Sequence, residues 1–521
     1  MRSALRLASS PYLTQRGHSL VRWDHVGPPQ LTLVARTRHG SRGLATAAAP
    51  GSIDKYYDIC IVGGGNVGSS LACALATSPY TQSLKIALIE AGDLLKRPSD
   101  DPNVRSNRVS SITPASQRFL AEVGAWEAID PARRHRFSKM QIWDSNSSGL
   151  VNFDSKEAGL EQIAWIVENN HIQAALASVI TDHSSAITLF NQRKVASISK
   201  AASEGDGAAV DAWPQVQLDD GTTLWARLLV GADGGNSKVR EFAQIESIGW
   251  DYNQKGVVAT LELEDHTDAN ETAWQRYMPT GPIALLPLGP GYSSLVWSIA
   301  PDLANRIIAL PPREFLELVN AAFHNPLQDI QFLISQIQPD GKTTCDFEAE
   351  AWWGRERAQA SLDNRASHTE GKLPPRIVSV AEKSRAGFPL KLRNSVRYVD
   401  DRVALIGDAA HTIHPQAGQG LNLGFSDAQS LYRTIKDGVQ TGQDIGRIHA
   451  LLPYAQERYV PDLAMLLAVD RIGKLFGDEC EVVRGARAFG LGATNTVSPI
   501  KVGLHFLSRR VCNAWTAESG M

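Results

Sequence analysis

A glycine turn between a short apolar strand and a helix constrains the fold of this chain more than any other feature. Residues 57–62 form the apolar run, Gly63, Gly65 and Gly68 follow it, and residues 69–76 continue with a helical pattern. In a G-x-G-x-x-G turn the first glycine permits the tight turn, the second lets a pyrophosphate approach the backbone, and the third lets helix and strand pack closely. The spacing predicts a βαβ unit that binds a dinucleotide.

An acidic residue stands where such a unit needs one. The next apolar strand, residues 85–89, ends at Glu90, at about the distance expected for the acid that binds the adenosine ribose. A glycine-rich stretch alone is often only a turn, but here both strands and the acid accompany it. A carboxylate at this position favours an unphosphorylated ribose, and therefore FAD or NAD(H) over NADP(H).

Residues 402–424 contain a second loop motif. A buried strand over residues 403–406 is predicted to stop at Gly407 and Asp408. A carboxylate at a strand end can bind sugar hydroxyls, such as those of the ribityl chain of a flavin. The alternative for Asp408 is the N-cap of a helix.

A glycine turn completes this second motif. A loop around Pro415 leads to Gly418 and Gly420, and a helix is predicted from about Leu421. Bare N–H groups at a helix start stabilise negative charge, with the helix dipole behind them. The turn therefore suits an electron-rich flavin ring.

The predicted architecture is α/β with interleaved domains. A third strand, residues 227–232, ends at Asp233, and Ser237 lies near the start of the next helix. The three strands are expected in one parallel sheet whose carboxyl ends face a common crevice, where ligands bind in open α/β sheets. Other strand-like runs are expected to build a second sheet over that crevice, and residues 354–385 are expected to be an exposed insertion or mobile loop. These runs are residues 254–263, 283–287 and 293–299.

The first 50 residues differ in composition from the rest. They contain seven arginines, no lysine and one acidic residue, Asp24, which predicts a mitochondrial transit peptide over residues 1–42. The alternative is a basic tail that binds something anionic. Removing residues 1–50 leaves 45 of the 52 basic and 54 of the 55 acidic residues, a net charge of −9, and this argues against nucleic-acid binding.

The cysteines and the apolar stretches bound the remaining classes. The cysteines are scattered without a C-x-x-C pair, so neither a disulfide framework nor a structural zinc site is indicated; they are Cys60, Cys73, Cys345, Cys480 and Cys512. No apolar run reaches the ~20 residues of a membrane span. Residues 461–476 and 500–511 are apolar and predict either helices packed on the body or peripheral membrane contact.

Taken in order, the motifs resemble those of the class A flavoprotein monooxygenases, the aromatic hydroxylases related to p-hydroxybenzoate hydroxylase. Within them the chain is most similar to the ubiquinone-biosynthesis hydroxylases, and above all to mitochondrial members that act at ring position C5. One departure is Asn170, where many relatives carry arginine, and residues 340–385 match nothing. The motifs and resembling segments are residues 63–68, 108–120, 165–169, 233–240, 280–288, 388–390 and 407–420.

The resemblance implies a Rossmann-like FAD-binding domain interleaved with a β-sheet substrate domain and followed by a C-terminal helical region. It implies FAD as cofactor, and hydroxylation of a polyprenylated phenol by dioxygen through a flavin C4a-hydroperoxide. The FAD-binding domain would comprise residues 56–130, 165–245 and 396–445, the substrate domain residues 131–164 and 246–395, and the helical region residues 446–521.

It also implies roles for individual residues. Asp408 would bind the ribityl chain, and Asp233 would support the pyrophosphate. Arg108 and Gln173 would contact flavin phosphate or ribityl groups, although Arg108 is equally a candidate for a surface ion pair. The flavin ring would be lined by Pro415 to Gly420, with charge stabilised by the helix start; these residues are Pro415, Gly418, Gly420, Leu421 and Asn422. No side-chain acid or base is assigned.

Two further groups of residues leave alternatives open. His411 and His414 are expected to make structural hydrogen bonds, because a His-x-x-His pair on a loop is not a zinc site without further ligands. Trp297, Leu285 and Phe388 either line an apolar substrate tunnel or belong to the core.

The electron source is expected to be NAD(P)H or a ferredoxin with its reductase. Residues 133–136 and 355–357 are basic candidates for ferredoxin docking, the alternative being a solvated charged face. Other coenzyme Q biosynthesis proteins are expected as partners, with peripheral attachment to the matrix side of the mitochondrial inner membrane. The competing functions are another FAD oxidoreductase on this scaffold and a non-catalytic, flavin-stabilised subunit of a biosynthetic complex.

Overall fold

The computed structural model describes residues 56–200, 213–264, 270–363, 373–477 and 480–496. The predicted leader, residues 1–42, and the apolar stretch 500–511 lie outside these residues. The helices are α1 (Asn66–Thr77), α2 (Pro114–Glu122), α3 (Asn169–Asp182), α4 (Lys238–Phe242), α5 (Pro301–Ala309), α6 (Pro312–His324), α7 (Leu327–Ser335), α8 (Phe347–Asp363), α9 (Gly420–Gln440), α10 (Ile448–Gly477) and α11 (Glu481–Thr496). The strands are β1 (Tyr56–Val62), β2 (Ile86–Glu90), β3 (Val109–Ile112), β4 (Arg134–Phe137), β5 (Lys139–Asp144), β6 (Leu150–Asp154), β7 (Ala164–Glu168), β8 (Ile187–Asn191), β9 (Val195–Lys200), β10 (Pro214–Leu218), β11 (Thr223–Gly231), β12 (Ser247–Leu263), β13 (Thr272–Tyr277), β14 (Ile283–Pro287), β15 (Tyr292–Ile299), β16 (Ile377–Val380), β17 (Ala386–Ser395), β18 (Val399–Asp400), β19 (Val403–Leu405) and β20 (His411–Thr412).

The three predicted motif strands lie side by side in one sheet. Strand β1 pairs in parallel with β2 and β11, and β11 pairs in parallel with β19. The register aligns Val62 with Gly231 and Gly231 with Leu405, so the three strands end at one edge of the sheet. Residues 59–62 of β1 are buried on both faces of the sheet. This explains the continuous apolar run, since parallel strands covered on both faces are apolar throughout. The predicted α/β fold class is confirmed.

A second, larger sheet has the order β20-β17-β12-β15-β14-β13-β5-β6, with β16 added beside β12. It includes all three strands predicted for it, and β12 begins earlier than predicted, at Ser247. Residues from α5 to α8 pack against one face in a single apolar cluster that contains Trp297 and Phe315. The other face is turned toward the small sheet β3-β7-β4.

The segment predicted as an exposed loop, residues 354–385, differs from expectation. Residues 354–363 continue α8, and Ile377–Val380 form β16, which pairs with β12. Apolar Ile377 is buried and its N–H and carbonyl both bond the Asn320 side chain, at 3.0 and 2.8 Å. Residues 364–372 lie outside the described residues.

The C-terminal helices are longer than the apolar pattern indicated. Helix α10 runs through Pro453 and Pro461, although a proline removes one helical hydrogen bond. Helix α11 is tied to the large sheet by a buried ion pair in which Arg487 Nε donates to Asp144 at 2.8 Å. None of the helices in the described part of the chain is both long and apolar enough to cross a membrane.

Candidate flavin site

The three glycines of the first turn meet different surroundings. Gly63 has φ +104°, and a Cβ there would lie 2.2 Å from the Ala232 carbonyl oxygen. A Cβ at Gly68 would lie 2.0 Å from the Gly63 carbonyl oxygen, whereas a Cβ at Gly65 would have no neighbour within 4 Å. The protein itself therefore requires glycine at the first and third positions, and only the middle one borders open space.

Glu90 binds this turn directly. Its Oε2 accepts a hydrogen bond from Gly64 N–H at 2.7 Å, and its Oε1 accepts one from Gly92 N–H at 2.6 Å. Gln173 Nε2 donates to the Gly64 carbonyl at 3.3 Å. Both side chains thus stiffen the glycine turn, and the predicted ribose contact of Glu90 and flavin contact of Gln173 stay predictions.

Asp233 lies at the end of β11, on the same sheet edge. Its Oδ2 accepts a hydrogen bond from Lys238 N–H at 2.7 Å, at the start of α4, whose N-cap is Ser237. Its Oδ1 is buried, and no described residue hydrogen-bonds it. A buried carboxylate oxygen without a partner is costly, so this atom has capacity for a ligand or a water molecule.

Asp408, at the end of β19, has an unusual environment for a carboxylate. Its side chain is exposed, yet burial by the surrounding protein raises the pKa of its carboxyl, and the nearby His411 offsets only part of that rise. No hydrogen bond reaches the carboxylate from any residue the structure describes. A carboxylate that is exposed yet surrounded by protein atoms lies in a surface depression. The Asp408 carboxylate has no hydrogen-bond partner there among the described residues.

The backbone behind Asp408 is held by a buried carboxylate that sequence reasoning missed. Asp427, on α9, accepts hydrogen bonds from Gly407 N–H at 2.9 Å and His411 Nε2 at 2.7 Å through the same oxygen. Its other oxygen accepts one from Arg458 Nε at 3.0 Å. An acid four residues after Leu423 on the apolar face of a helix is the signal that could have revealed it.

The ionisable groups of this cluster shift one another's pKa values. Burial alone would lower the pKa of His411, but Asp427 and Asp462 raise it to about 9, so the imidazole is cationic. Arg458 also donates to Asp462. Burial raises the pKa of Asp462, whereas His411 and Arg458 hold the pKa of Asp427 below its usual value despite its burial.

Three of these residues, His411, Asp427 and Asp462, place possible metal-ligand atoms within 4.8 Å of one another. The guanidinium of Arg458 already bonds both carboxylates, so a cation occupies this position without a metal. His411 therefore makes the structural contact that the sequence predicted. His414 does as well, since its Nδ1 accepts from Gln416 N–H at 3.2 Å and burial lowers its pKa to about 4.

The second glycine turn opens α9 as predicted. Pro415–Ala417 form one 3-10 turn, Gly418 adopts a left-handed conformation with φ +60°, and α9 begins at Gly420 without a side-chain cap. Asn422 is buried, and its side chain bonds Ser116 Oγ at 2.8 Å and the Ser111 carbonyl at 2.7 Å. The first backbone N–H groups of α9 lack intrahelical acceptors, so they are free to donate hydrogen bonds to a ligand. The Asn422 side chain holds this helix start against β3.

Comparison with known proteins identifies the protein family to which this chain belongs. Residues 56–346 and 349–458 match the protein family described as an FAD binding domain. The Xenopus tropicalis protein named ubiquinone biosynthesis monooxygenase COQ6, mitochondrial, is 38% identical over 477 residues, which cover 91% of this chain and 97% of the relative. The human protein of the same name is 38% identical, with 86% of this chain and 92% of the relative covered.

The chain belongs to the family of ubiquinone biosynthesis monooxygenases. It is an FAD-dependent monooxygenase, which confirms the predicted family, enzyme class and cofactor. The same-named relative from Saccharomyces cerevisiae is 37% identical over 88% of this chain and 95% of its own length.

Solved structures of other monooxygenases share the fold. That of p-nitrophenol 4-monooxygenase PnpA from Pseudomonas putida has a TM-score of 0.61 at 16% identity, covering 88% of this chain and 99% of that one. PqsL of P. aeruginosa has a TM-score of 0.59 at 20% identity, covering 84% of this chain and 100% of that one.

The residues of the monooxygenase fit FAD on independent structural grounds. Asp408 and the Oδ1 atom of Asp233 are poorly solvated acceptors without a partner among the described residues, Gly65 borders open space, and α9 begins without a side-chain cap. All of them follow the carboxyl ends of adjacent strands or the loop between β19 and α9. A cofactor with hydroxyls, a pyrophosphate and an electron-rich ring has a complementary set of groups.

Other residues singled out in the sequence lie elsewhere. Arg108 is exposed, and its side chain makes no hydrogen bond or ion pair within the described residues, so the surface ion-pair alternative is not supported there. Leu285 and Trp297 are 1% and 0% exposed and belong to the core between the large sheet and α5 to α8, so they do not line a tunnel. Phe388 is exposed on β17.

The predicted basic patches are mostly engaged in the fold. Arg133 is buried and donates to Glu168 at 3.0 Å, which contradicts both a docking patch and a solvated face for that residue. Arg355 and Arg357 pair with Glu317 and Asp329, at 3.0 and 2.7 Å. Sequence reasoning also missed Arg105, whose Nη1 lies 3.7 Å from Oε1 of Glu168, the carboxylate that Arg133 also binds. Arg105 lies in the segment that leads to Arg108. In the first basic patch, residues 133–136, the exposed member is Arg136.

Proposed function

We propose that this monooxygenase hydroxylates the aromatic ring of a polyprenylated phenol in ubiquinone biosynthesis. The names of its relatives support the pathway. One structural observation supports a place for the substrate: Ala284 and Val296 are partly exposed although β14 and β15 are central strands of the large sheet. Because helices cover the opposite face of these strands, the exposed side is the face turned toward the small sheet, and this face would be the floor of the substrate cleft.

Residues at the three strand ends would hold the cofactor. Glu90 and the turn around Gly65 would take the adenosine ribose and pyrophosphate, and Asp233 would support the pyrophosphate side. Asp408 would bind ribityl hydroxyls, where its carboxylate gains the hydrogen bonds it lacks. Two further side chains, Arg108 and Gln173, would contact flavin phosphate or ribityl groups.

The loop from Pro415 into α9 would border the flavin ring. Bound and reduced FAD supplies the two electrons with which dioxygen places one oxygen atom in the ring C–H bond and releases the other as water. The N–H groups of Gly420, Leu421 and Asn422 would stabilise negative charge at the helix start. Neutral His414 accepts a hydrogen bond from the Gln416 N–H, which helps to hold the shape of the loop.

Apolar packing next to this loop would keep water from the reacting atoms. Ile413 packs with Leu392, Leu423 and Leu466 in a buried cluster that joins the loop to α9 and α10. A site that excludes water protects reactive oxygen species from side reactions.

The purified protein tests this function directly. Supplied with FAD, dioxygen and a prenylated phenol, and with either NAD(P)H or a ferredoxin and its reductase, it should give a product that carries one oxygen atom from dioxygen. Asp408→Ala should fold normally but bind FAD roughly 10- to 100-fold more weakly, as expected for the loss of charge-assisted hydrogen bonds. Asp219→Ala, an exposed acid on a distant turn, is the matched control.

Each result separates the candidate functions. A folded protein that stays colourless in excess FAD favours a non-catalytic subunit and contradicts the proposal. A flavoprotein that oxidises either reductant but never hydroxylates the phenol favours another FAD oxidoreductase. Which reductant sustains turnover identifies the electron source, for which we propose NAD(P)H or a ferredoxin with its reductase.

We further propose peripheral contact with the matrix side of the mitochondrial inner membrane, in company with other coenzyme Q biosynthesis proteins. The exposed residues Val460, Leu467 and Leu475 recur at helical spacing along α10, and exposed Trp250 lies beside that helix, with Lys474 Nζ 4.5 Å from its ring centre. An apolar stripe with a flanking lysine and tryptophan suits a lipid interface. Leu467→Asp should reduce co-flotation with cardiolipin-containing vesicles without loss of FAD, and unchanged flotation would contradict this surface.

A further inference from the structure

Gln275 occupies a row of side chains that crosses the floor of the cleft. It pairs with Ala284 of β14, Ala284 pairs with Val296 of β15, and Val296 pairs with Val258 of β12. Paired residues point to the same face of a sheet, so Gln275 shares the face on which Ala284 and Val296 are partly exposed. The row spans three strand spacings, roughly 14 Å, enough for an aromatic ring and the start of a tail.

The two ends of this floor are closed by different parts of the protein. Two residues along the strand in one direction, Tyr277 stacks on Phe476 at the end of α10, with ring centres 3.8 Å apart. Two residues in the other direction, Ala273 packs in a cluster with Ile166 of the small sheet. Gln275 therefore lies between a wall made by α10 and a wall made by the small sheet.

The proposed flavin loop connects the same two walls. Gln416 Nε2 donates to the Val469 carbonyl of α10 at 2.5 Å. At its other end, a Cβ built on Gly418 would lie 3.3 Å from Ser111 Cβ of the small sheet. Residues 416–418 therefore link α10 to the small sheet, the same two elements that close the ends of the floor.

The amide of Gln275 is nearly buried and has no hydrogen-bond partner among the described residues. The residue is 4% exposed. The next residue, Arg276, turns to the opposite face and donates to the carbonyls of Ala322 and Asn325 at 2.8 and 3.0 Å. A nearly buried amide without partners costs free energy, unless a molecule in the cleft bonds it.

We propose that Gln275 is a specificity-determining residue, whose amide hydrogen-bonds an oxygen substituent of the phenol ring and so selects the ring carbon that faces the flavin loop. This inference rests on the proposed function, because it takes the phenol as the occupant of the cleft. The remaining members of the row are small and apolar, so the amide is the polar group that can fix the rotation of the ring.

The test combines one substitution with one change of ligand. Gln275→Leu removes the donor and the acceptor at similar volume, and binding to the FAD-loaded protein is measured by calorimetry for a short-tailed prenylated phenol and for the matching prenylbenzene without the hydroxyl. The native protein should prefer the phenol by roughly tenfold, in line with one hydrogen bond to a buried group. Gln275→Leu should lose that preference and release more hydrogen peroxide per electron pair, and exposed Gln82→Leu should behave as the native protein does.

The comparison of ligands separates recognition from general damage. A merely structural role would weaken both ligands equally, so a variant that keeps the tenfold preference overturns the inference. A native protein that binds neither ligand, or binds them equally, overturns it as well. If the native protein prefers the phenol but never hydroxylates it, the proposed function is wrong. The binding comparison still tests whether Gln275 recognises the hydroxyl group.

Discussion

Two turns of this enzyme, the glycine turn at residues 63–68 and the turn that begins at Gly407 and carries Asp408, are stiffened by different means. The turn at residues 63–68 is held by backbone geometry and close main-chain contact, with Glu90 bonded to the N–H of Gly64. The turn that begins at Gly407 is held from behind by Asp427, whose partners come from another helix and another strand. In front of it, Asp408 has no partner among the described residues.

This difference shows where each turn takes its rigidity. The first turn is specified largely by its own glycines and by Glu90, 26 positions from Gly64, and the distant residues Gln173 and Ala232 add contacts to it. The second depends on Asp427, Arg458 and Asp462, which two long helices bring behind the loop. In both turns the protein makes its own hydrogen bonds on one side, and the other side is where we propose that the cofactor binds.

The largest effect is expected from breaking the support of the second turn. Asp427→Ala would leave Arg458 and His411 with too little negative charge and remove the acceptor of Gly407 N–H. Removing one partner of a buried ion pair costs about 3–5 kcal/mol, so the free energy of unfolding should fall by that amount in urea titrations. Asp437→Ala, exposed on the same helix, should change it by less than about 0.5 kcal/mol. Equal losses in both variants would mean that the cluster does not support the loop.

A smaller effect is expected from adding one methyl group to the first turn. Gly63→Ala must strain a left-handed backbone and displace the Ala232 carbonyl, which should cost about 1–3 kcal/mol of stability. Gly65→Ala meets no protein atom, so the melting temperature of the FAD-free protein should not change. Its methyl group would enter the space proposed for the pyrophosphate, and FAD should bind at least ~10-fold more weakly, about 1.4 kcal/mol. If Gly65→Ala binds FAD normally, the pyrophosphate does not approach this residue.

The smallest and most gradual effect is a dependence of stability on pH. The pKa of His411 is about 9 in the folded protein and about 6.5 in an unfolded chain. A raised pKa of this kind contributes stability that is complete below about pH 6.5 and is lost as the pH rises through about 9, at most about 3 kcal/mol. Burial raises the pKa of Asp462 and acts in the same direction. Unfolding between pH 6 and 10 should show this loss in the native protein and a flatter curve in His411→Gln; parallel curves would contradict it.

The sequence predicted the strand-turn-helix units well because their signals are local. The apolar run before Gly63, the acid at Glu90 and the helix start at Gly420 all lie within a few residues of the feature that they specify. Trp297 and Leu285 show where such reasoning fails. Apolar residues on alternate faces of a strand look alike until the sheet shows that α5 to α8 cover one face.

By itself, the sequence determined the nucleotide-binding turns, the order of the main strands and, through resemblance, the family. These depend on backbone conformations that only glycine permits readily and on short-range apolar patterns. The tertiary structure decided that Asp427 lies behind Asp408, that Arg133 is buried, and that Gln275 shares a sheet face with Ala284 and Val296. Each of those facts is set by which strands and helices become neighbours, and chain positions far apart in sequence acquire a shared electrostatic environment only when the fold brings them together.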